Sequence, residues 1–189
     1  MTAFGDQFQK RRAANARAIK QAFGVDVPAP TSEGGARYRT VRSGGKITIF
    51  TIGYEQRNGE ELISLLRDAG VEVLADIREK AFSRVADFRA GSLQQLCAEA
   101  GIVYEGWPEL GSTEGQRERL KETGDFKRFE SVFRSHVLQH AEDALERLAA
   151  IAKRKSVALL CYERLHEDCH RSVVADLLAD RLKATVVAI

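Results

Sequence analysis

Cysteine, proline and long apolar runs are all scarce in this chain of 189 residues. Three cysteines, Cys97, Cys161 and Cys169, form an odd and sparse set that excludes a disulfide framework and points to reduced thiols. Two of the three prolines fall in "VPAPTSEGG", so rigid breakers are concentrated in one short stretch near the front. No apolar run reaches the length of a membrane-spanning helix, and "MTAFGDQFQKRRAANARAIK" is interrupted by charge too often for a secretory core. The expectation is a soluble, cytoplasmic protein with no membrane partner.

What is present in quantity is apolar content, 44%, enough for one compact domain with a short addition. The net charge of +2 conceals a split. Residues 1–46 carry nine Lys/Arg against Asp6, Asp26 and Glu33, whereas the remainder carries 20 basic against 24 acidic residues. A front of +6 on a body of −4 reads either as a basic arm that meets nucleic acid or an acidic protein, or as a solvated face without a partner. Phe4, Phe8, Asn15, Ile19 and Phe23 share one sector of a helical wheel, which predicts an amphipathic helix over about 4–23, followed by the linker. The expected division is a basic extension over 1–46 and a single domain over 47–189.

From Ile47 the text alternates regularly. "ITIFTIG", "VEVLADI", "IVYEGW", "SVALLCY" and "ATVVAI" read as strands. "NGEELISLLRDAG" opens with Asn58 and Glu61 at capping-box spacing and closes on Gly70. Ser92 and Gln95 suggest a similar cap for "SLQQLCAEA". A polar loop, a potential lid, is expected over 111–125, then a single long helix over about 126–154, and "RSVVADLLADRL" as the last helix with Asp168 near its cap. Strands that are continuously apolar and separated by helices predict an open, mainly parallel sheet of about five strands in a three-layer α/β/α sandwich.

In such sheets ligands bind outside the carboxyl ends of the strands. Those ends carry Tyr54, Glu55 and Gln56, then Asp76 and Arg78, then Trp107 and Glu109, then Cys161 and Glu163. Asp76 and Arg78, two apart, either form an ion pair or jointly hold a polar ligand. If Asp76 and Glu163 face one cleft, one held protonated and one ionised would supply acid and base for hydrolysis. Trp107 is either a stacking platform or a cap on the core. His136 and His140 have the i, i+4 spacing of a metal pair, but their place near the core-facing seam of the helix favours packing.

"LLCYERLHEDCHR", residues 159–171, admits three readings. Cys161, Glu163, His166, Cys169 and His170 are all permissible zinc ligands, although no pair of Cys-x-x-Cys knuckles is present. Cys169 near a helix start with Arg171 beside it suggests a thiol site, although the loop lacks a cysteine five residues before an arginine. In the third, Cys161 is a small core residue and Glu163, His170 and Arg171 are the polar groups that matter. There the cysteines rank behind those three.

Together "TIGYEQRN", "LADIREKAFSR", "WPELGS" and "LLCYERLHEDCHRS" resemble the prokaryotic family catalogued as domain of unknown function number 488, over about residues 47–189. The matching positions are Thr51, Gly53, Tyr54, Asp76, Arg78, Ser83, Arg84, Pro108, Glu109, Gly111, Cys161, Glu163, Cys169, His170 and Arg171. Ala81 departs from a proline frequent in the family between Arg78 and Ser83.

The resulting expectation is a protein that binds a polar, anionic ligand, a nucleotide or nucleic-acid component, and hydrolyses it. Asp76, Glu163 and His170 are the catalytic candidates. Tyr54, Arg78, Ser83, Arg84, Glu109 and Arg171 are the ligand contacts. No cofactor is required; zinc or another divalent metal enters only in an alternative that uses Cys161, Cys169 and His170 as a metal- or thiol-dependent centre. A further alternative is a non-catalytic nucleic-acid-binding or interaction module that uses the basic arm. Oligomeric state is not legible in the text.

Overall fold

A computed structural model of the protein describes residues 47–189. The predicted helix over 4–23 and its linker lie outside the described residues. Strands β1 (Thr48–Gly53), β2 (Val73–Asp76), β3 (Val103–Gly106), β4 (Val157–Cys161) and β5 (Thr185–Ala188) form one sheet in the order β3-β2-β4-β1-β5. Every pairing is parallel. The helices are α1 (Gly59–Asp68), α2 (Ala90–Glu99), α3 (Glu114–Thr123), α4 (Phe126–His140), α5 (Glu142–Ala152) and α6 (His170–Leu182).

Parallel strands present alternate side chains to the two faces, and helices cover both. Phe50, Ile52, Leu74, Ala158 and Leu160 bury against Leu62 and Leu66 of α1 and Leu93 and Cys97 of α2. Ile49, Val73, Ala75, Val157 and Leu159 bury against Phe133 and Val137 of α4, Leu145 and Leu148 of α5 and Val173 and Val174 of α6. Burial pushes the Cys97 thiol up to about 12, as suits an inert core residue, with the Asp76 charge adding to the rise. The result is the expected open α/β/α sandwich.

Local signals explain most boundaries. Asn58 caps α1 by accepting from the Glu61 amide at 2.8 Å while the Glu61 side chain accepts from the Asn58 amide at 3.2 Å. Gly70 and Gly101 take left-handed backbone at φ 67° and 72°, which lets the chain leave each helix and enter the next strand at once.

Four expectations need correction. The supposed lid over 111–125 contains helix α3, capped reciprocally by Thr113 and Gln116. None of its residues is buried, so it lacks the apolar stripe by which helices are read. The single long helix is two, α4 and α5, divided at Ala141, where φ is −130°. No proline or glycine marks the break, and apolar periodicity runs through it. The cap of α2 is Arg89 and not Ser92, and the cap of α6 is Cys169 and not Asp168. His136 is half-buried and His140 exposed, their rings 5.0 Å apart on the outside of α4, so they do not join the core seam. Among the described residues no helix is long and apolar enough to cross a membrane.

Candidate functional site

β2, β4 and β1 lie side by side in the middle of the sheet, so the loops that follow them converge at its carboxyl edge. Two polar groups form there, and the pleat puts them on opposite faces. Asp76 stands opposite Leu160 in the register, on the α1/α2 side; Cys161, the next residue, points to the α4/α6 side. Asp76 and Glu163 therefore do not share a cleft. A period of two decides this: strand-end residues of neighbouring strands meet only when their registers agree in parity.

The first group is closed on itself. Asp76, 1% exposed, accepts from Arg78 Nε at 2.8 Å, from Arg78 Nη2 at 2.5 Å, from the Arg78 amide at 3.2 Å and from the Tyr104 hydroxyl at 2.7 Å. Arg78 Nη1 donates to the Tyr54 hydroxyl at 3.1 Å and to the Phe88 carbonyl at 2.9 Å. Tyr54 stacks on Phe88 with ring centroids 4.4 Å apart. Burial alone would lower the Arg78 pKa, but the hydrogen bond and charge of Asp76 outweigh it and hold it above its ordinary value. Burial, then the Asp76 charge, raises the Tyr104 phenol. Asp76 is thus satisfied by fixed donors, and Arg78 anchors the loop after β2. Tyr104 was not identified from sequence; only the register Leu74 to Tyr104 brings it to this face.

The second group gathers the densest cluster of metal-ligating side chains among the described residues. Glu163 Oε2 accepts from Cys161 Sγ at 3.1 Å and from Cys169 Sγ at 2.9 Å. His170 Nδ1 lies 3.5 Å from Cys161 Sγ, 3.9 Å from Cys169 Sγ and 3.4 Å from Ser112 Oγ, while its Nε2 meets the Ile77 carbonyl at 3.1 Å. One ligand atom from each of Cys161, Glu163, Cys169 and His170 falls within 4.8 Å of the other three. Both cysteines and His170 are buried, and Glu163 alone is half-exposed.

The local chain makes this arrangement. Cys161 ends β4; Cys169 caps α6, its sulfur accepting from the Arg171 amide at 3.5 Å. Arg171, 1% exposed, donates from Nη1 to the Glu163 carbonyl and from Nη2 to the Arg164 carbonyl at 2.9 Å, which pins the turn between them. The turn crosses so close to β1 that a Cβ at Gly53 would collide with the Glu163 carbonyl. Gly111 performs the same service for Ser112, since a Cβ there would collide with the Glu79 amide. The Phe133 ring stands edge-on to His170 at 5.4 Å.

Electrostatics couple the four side chains. Burial pushes the Glu163 carboxyl up, yet hydrogen bonds from Cys169, its own backbone and Cys161 prevail and hold it below the ordinary range. Burial, reinforced by Cys161, keeps Cys169 well above the ordinary thiol value. Burial opposes charge on His170, but its contacts with Cys169, Ile77 and Glu163 raise it. In the absence of a metal Cys169 is thus a protonated thiol, which argues against a standing thiolate nucleophile.

The remaining sequence candidates are dispersed. Ser83 is buried and accepts from the Val85 amide at 3.1 Å, shaping its own turn. Arg84 is exposed. Glu109 is exposed and pairs with Arg147 at 3.3 Å. Trp107 is 7% exposed within the core, with the Arg147 guanidinium 5.2 Å from its ring centre, so it caps the core. Ser112 beside His170, and the Thr51 hydroxyl 3.0 Å from His166 Nδ1, complete the neighbourhood. Nothing in their spacing announces either contact.

A family model described as domain of unknown function DUF488 matches residues 58–178, well over half of the chain. The match takes in both polar groups except Tyr54 and leaves β1 outside. No curated protein and no solved structure matches.

Proposed function

The chain belongs to the DUF488 family, and we propose that it is a metal-dependent enzyme whose centre is Cys161, Glu163, Cys169 and His170. The carrying observation is size. A tetrahedral ion with arms of about 2.0–2.3 Å needs donors roughly 3.3–3.8 Å apart. Four of the six separations, sulfur to oxygen at 2.9 and 3.1 Å and sulfur to nitrogen at 3.5 and 3.9 Å, are within about half an ångström of that, and all six are within 4.8 Å. Two sulfurs, one imidazole and one carboxylate form a donor set suited to zinc.

Within this centre the chain's own groups divide the work. The Ile77 carbonyl fixes His170 through Nε2 and leaves Nδ1 toward the sulfurs. Arg171 holds the turn that aims Glu163. Because Glu163 alone of the four is half-exposed, it would be the donor placed to meet an incoming ligand and accept its proton. Bound zinc supplies Lewis acidity toward water or a ligand oxygen, the chemistry of hydrolysis. Arg84 and Arg164, on the adjacent loops after β2 and β4, have no ion pair among the described residues and suit a polar, anionic substrate such as a nucleotide or nucleic-acid component. Asp76 and Arg78 act by holding the loop that carries Arg84.

Elemental analysis of protein purified without chelators is the test. About one zinc per chain is expected, and Cys161→Ser or Cys169→Ser should abolish it. Protein that contains no stoichiometric metal and takes up neither zinc nor cobalt would overturn the reading. The charge split favours one second reading, a nucleic-acid-binding module that contacts its partner through residues 1–46.

A further inference from the structure

We infer that the cleft between α3 and α4 is a second binding site, for a small molecule that joins one anionic group, carboxylate or phosphate, to an apolar body. The cleft holds about 360 Å³ and lies apart from the four donor residues just described. That volume falls at the lower end of small-ligand pockets, which run from roughly 300 Å³ upward. Its floor is apolar: Leu120 and Phe129 rest on the main core, and Val132, 53% exposed, extends the apolar lining toward solvent.

Arg119 and Arg128 flank the floor, one from each helix. Neither guanidinium has an ion pair among the described residues, whereas Arg117, Arg134, Arg147 and Arg181 nearby all do. Asp125 also lines the cleft, but its carboxylate accepts from the Arg128 amide at 3.0 Å as the cap of α4. The cleft therefore offers two free fork-shaped donors against one committed acid, above an apolar floor. Thr113 and Gln116 at the start of α3 supply further polar edges, although they already cap each other. A purely polar ion would leave the floor wet, and a purely apolar ligand would leave both arginines unanswered. An amphipathic anion satisfies both.

Intervening residues connect the cleft to the donor cluster. Phe129 stacks on Phe133 at 5.6 Å, and Phe133 meets the His170 ring; Thr113 follows Ser112, which contacts His170. A ligand in the cleft is thus separated from His170 by the rings of Phe129 and Phe133.

The probe is 1-anilinonaphthalene-8-sulfonate, an anion on an aromatic body, titrated by fluorescence into the full chain with and without added zinc. One dye per chain is expected. Arg119→Ala with Arg128→Ala should weaken it at least tenfold, and Val132→Glu, at an exposed position, should do the same. Both losses should be equal in zinc-loaded and metal-free protein, which separates this site from the metal centre. Displacement by 1-naphthoate compared with 1-naphthyl phosphate identifies the head group, and inorganic phosphate alone should not displace. A loss below tenfold in the double variant, or several equivalent dyes per chain, would overturn the inference; circular dichroism of each variant confirms that folding is retained.

Discussion

His170 and Ile77 are joined across the sheet edge: the first residue of α6 presents ring Nε2 to the carbonyl of the residue after β2 at 3.1 Å. A carbonyl only accepts, so Nε2 carries a hydrogen, and Nδ1 is the nitrogen that must be free of its proton before a metal can bind. Nδ1 is also the nitrogen nearer both sulfurs. The bond thus links the fold to the donor set, since β2 cannot shift without turning the imidazole.

Zinc affinity should depend steeply on pH. Burial and Cys161 keep Cys169 well above its ordinary value, and His170 is raised, so a metal must displace protons from both. Each displaced proton makes affinity rise about tenfold per pH unit below the pKa concerned, so two give about a hundredfold. Competition titration against a chromogenic chelator between pH 6 and 8 should show a slope above one decade per unit. A flat profile would mean that the sulfurs do not bind the metal.

Asp76 should prove a stability residue first. Asp76→Ala leaves the Arg78 guanidinium buried without its carboxylate, and breaking a buried pair from one side costs about 3–5 kcal/mol. Tyr104→Phe removes one hydrogen bond to a charged acceptor, about 1.5–3 kcal/mol. Urea unfolding followed by circular dichroism measures both. Zinc content of the surviving folded protein should be unchanged, because the pair occupies the opposite face from the sulfurs.

The strands were legible because each is a short apolar run bounded by glycine or polar residues, and two helices announced their ends with Ala-Gly. What stayed hidden depended on the third dimension. Tyr104 joins Asp76 only through strand register, and Ser112 reaches His170 across 58 residues. Cys161 and Cys169 looked secondary because their spacing matches no zinc knuckle; the turn pinned by Arg171 folds the eight-residue separation into one cluster. Helix α3 is hard to read because a helix with no fully buried residue shows no apolar stripe.

Deleting residues 1–46 should separate the two functional readings. That segment carries +6, so binding to a single-stranded polyanion should weaken strongly with added salt and fall at least tenfold on deletion, while zinc content stays at one per chain. Salt-sensitive binding that survives deletion would place the polyanion contact on the described domain. A filter-binding series at several salt concentrations makes the measurement.

Gly53→Ala should disrupt the site from outside it. The added Cβ collides with the Glu163 carbonyl, and backbone there is held by Arg171, so the turn must move as a unit. Overpacking of this kind costs about 2–3 kcal/mol. Gly106→Ala, where a Cβ meets nothing within 4 Å, is the control and should cost little. Denaturation midpoints and zinc content together test the claim: both should fall in the first variant and neither in the second.

His166 provides a pH dependence separate from the donor set. Burial, and then the charge of Arg171, hold its pKa below the ordinary value near 6.5. Between its folded and ordinary values the unfolded chain binds a proton that the folded chain refuses, so stability is lost as pH falls through about 6.5 and is fully present above it. His166→Asn keeps a polar partner for Thr51 and removes the titration. The stability difference between the variant and the parent should therefore shift in the variant's favour as pH drops from 8 to 5. A difference that stays constant over that range would show that His166 titrates alike in both states, and its contact with Thr51 at 3.0 Å would then contribute only as a hydrogen bond.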